Sequence, residues 1–392
     1  MKVAILGYGT VGSGVKEIID SLRDKNIEVT HILERTENVH KHPLMCDDIN
    51  VILNDDAVSV VVETMGGIEP AHSFIIKAMQ AKKHVVSANK AVIARYMEEF
   101  HACAEANGIK FLYEASCGGG IPWLHNLYNA LRIDEIDEIH GIFNGTTNYI
   151  LDHMEKERAQ FDVILNKAQQ LGYAESDPSA DIDGIDIQNK LRISATIAFK
   201  GDVPLTFPVF GIRNICKSDI DYANSLNMKI KLLAVAKREA DRYYAAVEPT
   251  LYPQTQTEAS IAENFNLTCL HGETIGDLKF YGQGAGKLPT ANAVVQDIID
   301  IYEGIDTQSK ASQKELRVDT SLVCGTYVVR TNADEAFIKD LFETAYVKKD
   351  LFDQKAYYTI SPISSYQMHQ KVKELMKTDG NAFFAHIQEV DV

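Results

Sequence analysis

Basic residues are in short supply in this chain: 39 lysines and arginines face 55 aspartates and glutamates, a formal net charge of −16. With no basic surplus to neutralise phosphates, a nucleic-acid partner or an anionic membrane surface is disfavoured. Apolar runs of the roughly 18 residues needed to span a bilayer are also missing. The six cysteines (Cys46, Cys103, Cys117, Cys216, Cys269 and Cys324) form no Cys-x-x-Cys pair. That argues against a zinc framework or disulfide scaffold and fits a reducing compartment. The twelve histidines show no H-x-x-x-H spacing, so none is assigned to a metal. "MKVAILG" enters a strand at Lys2 and leaves no room for a signal peptide, so the expectation is a cytoplasmic protein.

What is present is ordinary globular composition over 392 residues, 45% of them hydrophobic, enough for two or three domains. In the first 120 or so residues the strand-like runs "KVAILG", "EVTHILE", "SVVVET", "HVVSAN" and "KFLYEA" alternate with stretches of helical spacing. That rhythm predicts βαβ units and a parallel sheet, an α/β fold. After residue 130 it changes. "EIHGIFNG" reads as a strand, helices are expected near 147–157, 161–171 and 185–200, and "IKLLAVAKRE" and "RYYAAVEPTLYP" read as long strands. A second, α+β domain with a mixed sheet is expected there. "LPTANAVVQDIIDIYEG" (288–304) predicts an amphipathic helix, "DTQSKASQKELR" (306–317) a linker, and 318–392 a small α+β module.

Gly7, Gly9 and Gly12 in "GYGTVG" form G-x-G-x-x-G directly after the first strand and opening a helix. Gly7 permits a tight turn, Gly9 lets the backbone approach a pyrophosphate, and Gly12 lets helix pack close to strand. The helix N-terminus then offers unpaired N–H groups to the phosphates. Glu34, at the end of the second strand, stands where a carboxylate accepts the ribose 2′-OH of NAD. Arg35 beside it could instead meet the 2′-phosphate of NADP.

Residues 174–190, "AESDPSADIDGIDIQNK", pack Glu175, Asp177, Asp181, Asp183 and Asp186 around one cation, Lys190. A calcium loop fails on spacing: counted from Asp181, the sixth position is Asp186, where glycine is needed. Asp186 and Lys190 are i and i+4 and share a helix face, most often an arrangement of surface ion pairs.

With the cofactor loop and the acidic segment together, the chain resembles homoserine dehydrogenases over residues 2 to about 303. "GYGTVGSGV", "VVETMGG", "SANKA", "YEASCGGGIP", "FNGTTNYIL", "GYAESDPSADIDGIDIQNK" and "GQGAGKLPTANAVVQDI" carry the resemblance. It implies NAD(P)-dependent interconversion of L-aspartate 4-semialdehyde and L-homoserine, within threonine and methionine biosynthesis. Gly7, Thr10, Val11, Thr64, Lys90, Gly172 and Gly286 then fall around the cofactor, with Gly9, Gly12, Glu34, Arg35 and Glu175 also expected there. Glu175 and Asp186, with Asp181 and Tyr173, would bind substrate. Lys190 would be the acid–base group, with Lys90 and Asp186 beside the chemistry. A monovalent cation such as sodium would sit on the side chain of Glu114 and the carbonyls of Cys117, Gly119 and Ile121, with Cys117 where the family usually has valine.

On this reading residues 1–130 with about 286–305 bind the dinucleotide as a Rossmann domain, and 131–285 bind substrate and dimerise. Residues 318–392 resemble an ACT module, which in this family typically takes a threonine effector; "RTNADEAF" replaces the usual Asp-x-Pro-Gly turn, so a packing or dimerisation element without a ligand stands beside the regulatory reading. A homodimer or homotetramer is expected. Two alternatives stand beside this: another NAD(P)-dependent amino-acid dehydrogenase, or a non-catalytic paralogue. The second should have lost Lys190, Asp186 or a loop glycine, and all are present.

Overall fold

The computed structural model describes residues 1–305, 314–343 and 345–389. The chain divides into two compact units. One gathers Met1–Ile133, Arg192–Ile197 and the stretch beginning at Gly282; the other gathers Asp134–Leu191, Ala198–Tyr281 and the described residues from Lys314 onward.

The first unit is built on six parallel strands: β1 (Lys2–Leu6), β2 (Glu28–Leu33), β3 (Met45–Cys46), β4 (Val58–Glu63), β5 (His84–Ser87) and β6 (Phe111–Leu112). Their spatial order is β3-β2-β1-β4-β5-β6, the doubly wound order of dinucleotide-binding sheets. Strands covered on both faces must be apolar throughout, which is why β1 reads "KVAIL" with Val3, Ala4, Ile5 and Leu6 fully buried. Burying a valine, isoleucine or leucine side chain in this way contributes about 1.5–3 kcal/mol. One core joins Val3, Ile5, Val62 and Val86 with Val15 of the helix Thr10–Ser21 and Val294 of the helix Lys287–Glu303. These two helices approach closely at Gly14, where a methyl group would lie 2.9 Å from both the Ala291 Cβ and the Lys287 carbonyl oxygen.

One helix runs from Lys90 to Asn107, with an internal break at Tyr96 (φ −127°, ψ 20°), and Gly108 closes it with φ +65°.

The second unit holds β7 (Ile136–Ile142), β8 (Met228–Glu239), β9 (Arg242–Pro253), β10 (Phe265–Gly272), β11 (Gly276–Gln283), β12 (Arg317–Val318), β13 (Cys324–Thr331), β14 (Tyr346–Phe352), β15 (Lys355–Ser364) and β16 (Phe383–Ile387). They form one mixed sheet, β11-β10-β7-β8-β9-β16-β13-β15-β14, with β12 added beside β9. β9 runs parallel to β12 and β16, and the pairs β7–β8, β8–β9, β7–β10, β13–β15, β13–β16 and β14–β15 are antiparallel.

The segment read as a C-terminal module continues this sheet through β16, whose His386 and Ile387 pair with Thr250 and Leu251 of β9. Within it, strands and helices follow the order strand–helix–strand–strand–helix–strand, with helices at Glu335–Leu341 and Ser365–Leu375. Buried polar groups fasten the segment down. The Glu248 carboxylate on β9 accepts from the Tyr327 hydroxyl (2.9 Å), the Ser365 hydroxyl (2.7 Å) and His369 Nε2 (3.0 Å). Arg330 Nε donates to Asp219 at 2.7 Å. Of the linker read at 306–317, residues 306–313 lie outside the described residues, as do 390–392 at the chain end. No helix among the described residues is long and apolar enough to cross a membrane.

Candidate active site

In the first unit the glycine loop has the geometry its spacing predicts. Gly7 turns the chain with φ +91°, and Gly9 occupies the N-cap of the helix Thr10–Ser21 without a capping side chain. The first-turn N–H groups are thus left to an anion. A Cβ on Gly9 would meet nothing within 4 Å, whereas one on Gly12 would lie 2.1 Å from the Gly7 carbonyl oxygen and 2.9 Å from Thr64 Oγ1. Gly12 is therefore required by packing, and Gly9 leaves open space over the loop. Thr64 donates its hydroxyl to the Gly7 carbonyl (2.8 Å), tying the end of β4 to the loop. Thr10 is exposed and Val11 half-buried at the helix start.

Glu34 accepts from the backbone N–H groups of Tyr8 (3.2 Å) and Arg35 (2.9 Å). Burial alone would raise its pKa, but those two N–H groups, Asn38 and the Arg35 charge hold it below the usual carboxylate value. The Arg35 side chain is exposed. Lys90 begins the helix Lys90–Asn107 directly after its N-cap, Asn89. Asn89 caps Val92 and donates to the Gly67 carbonyl (2.7 Å), while Ser87 donates to the buried Glu63 carboxylate at 2.6 Å. Glu63 and Asn89 lock the "ETMGG" and "SANK" loops together. Sequence reading quoted both loops without giving these two residues a role.

The proposed cation loop follows β6. Glu114 and Cys117 are buried, Gly119 has φ +58°, and Ile121 is buried with its carbonyl accepting from Trp123 N–H at 2.7 Å. The Glu114 carboxylate accepts from the N–H groups of Leu124 (3.0 Å) and His125 (2.7 Å), at the start of the helix Trp123–Ala130. Burial, with Asp297 beside it, raises the Glu114 pKa to about 8 against the opposing pull of His125. His125 Nε2 lies 3.2 Å from Asp297 and 3.3 Å from Asp300. Burial disfavours its charge, yet Asp297, Glu114 and Asp300 together lift its pKa to about 9. Glu114 offers carboxylate oxygens, and Cys117, Gly119 and Ile121 offer backbone carbonyl oxygens, the donor type that a hard cation takes. Gly286 caps the helix Lys287–Glu303 with φ +132°.

In the second unit the acidic segment separates into parts. Gly172 turns with φ +77° after the helix Phe161–Gln170, and Tyr173 and Glu175 are exposed on the loop that follows. The Tyr173 carbonyl accepts from Thr146 Oγ1 at 2.6 Å. Asp177 accepts from Ser179 N–H at 3.1 Å at the start of the short helix Ser179–Ile182. Asp183 forms a bidentate pair with Arg213, both distances 2.7 Å. Those two acids are scaffold.

Asp186 and Lys190 lie on the helix Ile185–Phe199 and are buried, 6% and 7% exposed. Lys190 Nζ is 2.8 Å from Asp186 Oδ2 and donates to the Phe143 carbonyl at 2.7 Å. The bland alternative of an exposed ion pair is thereby removed. Asn144, the next residue, donates to Asp186 Oδ2 (2.9 Å) and to Asp181 Oδ1 (2.7 Å). Asn144 carried no individual role in the sequence reading; the "FNGTTN" run was the only signal for it.

Residues 7–114 match the model of the homoserine dehydrogenase NAD-binding domain, and residues 122–299 that of the homoserine dehydrogenase domain. A homoserine dehydrogenase of Synechocystis sp. is 43% identical over 324 residues, covering 79% of this chain and 75% of its own. One from Bacillus subtilis is 36% identical over 318 residues, covering 78% and 73%. The crystal structure of a homoserine dehydrogenase from Thiobacillus denitrificans superposes with a TM-score of 0.88 at 28% identity, covering 99% of this chain and 98% of that one. The chain belongs to the homoserine dehydrogenase family.

Proposed function

We propose that this chain interconverts L-aspartate 4-semialdehyde and L-homoserine with Lys190 as the acid–base group. The observation that carries the assignment is the buried Lys190, held between the Asp186 carboxylate and the Phe143 carbonyl. The bound nicotinamide supplies or accepts the hydride at the substrate carbon. In reduction the Lys190 ammonium gives a proton to the developing alkoxide; in oxidation its amine takes the hydroxyl proton. Asp186 orients that ammonium. Glu175, Asp186 and Asp181 are the carboxylates for the substrate's α-amino and hydroxyl groups, with Tyr173 bordering them.

Gly7, Gly9, Thr10, Val11 and Gly12 would cradle the pyrophosphate, Thr64 and Lys90 would serve the nicotinamide end, and Glu34 and Arg35 would receive the ribose. Gly286 completes this set from the first unit. Gly172 and Glu175, which the resemblance also assigns to the cofactor, belong to the second unit. Sodium or a similar cation would be held by Glu114 and the carbonyls of Cys117, Gly119 and Ile121, and no step of the chemistry passes through it.

Residues 1–130 with 286–305, 131–285 and 318–392 are taken as the cofactor, substrate and ACT-like parts. The strand–helix–strand–strand–helix–strand order, with spatial order β16-β13-β15-β14, supports the last of these. It would take threonine as effector, and the whole would act as a homodimer or homotetramer. The direct experiment follows nicotinamide absorbance with L-homoserine and the purified protein. Turnover with NAD or NADP is expected, and none with either sinks the proposal.

A further inference from the structure

We infer that Asn144 is a positioning residue for the acid–base pair. The inference rests on Lys190 being the acid–base group. Asn144 is the N-cap of the helix Gly145–Glu157, its Oδ1 accepting from Thr147 N–H at 2.8 Å. That bond fixes which end of the amide is oxygen, because the reverse orientation would set Oδ1 against two carboxylates. The NH2 group must then point the other way, and its two hydrogens go to two different acids: Asp181 Oδ1 at 2.7 Å and Asp186 Oδ2 at 2.9 Å.

Asp186 Oδ2 receives Lys190 as well, at 2.8 Å, so the amide and the ammonium meet on one oxygen. The preceding residue, Phe143, gives its carbonyl to the same Lys190 Nζ. Two consecutive residues at the β7 exit thus set both members of the pair. Phe143 sets where the ammonium points, and Asn144 sets the rotation of the carboxylate that faces it. Asn144 also separates two acids whose charges repel, since each receives one N–H instead of the bare charge of the other. Asn144 is itself 4% exposed, so no water replaces it without rearrangement. A catalytic group misplaced by a fraction of an ångström loses rate steeply, which gives the fork a kinetic consequence.

Serine and threonine also cap helices and carry no charge, so Asn144→Ser and Asn144→Thr keep the cap and remove the fork. With melting temperatures near the parent's, both variants are expected to lose kcat for homoserine oxidation by about 10- to 100-fold. The KM for the nicotinamide cofactor is expected to stay unchanged. Parental kcat in either folded variant overturns the inference, because a capping role alone would leave kcat in place. If neither variant folds, Asp181→Ala decides. It leaves the cap intact and removes one prong; because Asp181 is also assigned to substrate, the readout is kcat at saturating homoserine: a severalfold loss of kcat supports the fork, and an effect confined to the KM for homoserine, or none, overturns it. Lys190→Ala run in parallel separates the two layers. If that variant turns over normally, the acid–base assignment fails; if it is inactive while the Asn144 variants are not, only the fork fails.

Discussion

Among the carboxylates that the second unit buries, Asp186 and Glu248 are built differently. Glu248 is surrounded by side-chain donors from the C-terminal segment: Tyr327, Ser365 and His369, with His386 Nδ1 at 3.8 Å. Its donors join β9 to β13, to the helix Ser365–Leu375 and to β16, so the cluster fastens one part of the fold to another. Asp186 Oδ2 is instead shared by the Lys190 ammonium and the Asn144 amide. A carboxylate closed in by many donors is committed to structure. One that shares an oxygen between a lysine and an orienting amide is placed for chemistry.

That contrast can be broken from either side. Asp186→Asn should cut kcat by about 100-fold while leaving the melting temperature close to the parent's, because it removes the partner that orients the Lys190 ammonium. A melting temperature lowered without loss of kcat would place Asp186 with Glu248 instead. Glu248→Ala should do the reverse and cost about 3 kcal/mol in denaturant unfolding, since Tyr327, Ser365 and His369 lose a buried acceptor together. The kcat of the folded fraction should remain.

In the first unit, Glu34→Ala should raise the ratio of NADP to NAD use about tenfold, by removing an ionised carboxylate that a 2′-phosphate would face. An unchanged ratio would place the ribose elsewhere.

The smallest effect is on pH. Burial works to raise the Glu248 pKa, but the His369 hydrogen bond and charge, with His386 and Ser365, hold it below 4.5. A depressed carboxylate contributes stability that is present above its unfolded value of 4.5 and lost as pH falls through its folded value. The stability difference between parent and Glu248→Gln should therefore shrink below pH 4.5 in acid unfolding curves. A constant difference would mean that the ionised form is not favoured.

The two clusters were unequally legible in the sequence. Strands such as β1 and β4 are apolar throughout because both their faces are covered, and such runs stand out. β14 is hard to read in the sequence because "YVKKDLF" is an edge strand whose Lys348 and Lys349 are exposed, and charge on an edge masks the strand pattern. The Asp186–Lys190 pair was legible because i, i+4 spacing is local. The Asn144 fork was not, because its acceptors lie 37 and 42 residues along the chain and only the turn from β7 into the next helix brings them together. Glu248 gave no signal for the same reason: its hydrogen-bond donors lie 79 to 121 residues away.

The central claim is that Lys190 moves the proton, and the rate of L-homoserine oxidation by Lys190→Ala, measured beside the parent at saturating cofactor, tests it most directly. The account predicts a loss of at least about 1000-fold in kcat with the fold and cofactor binding retained. Turnover within about threefold of the parent would contradict it.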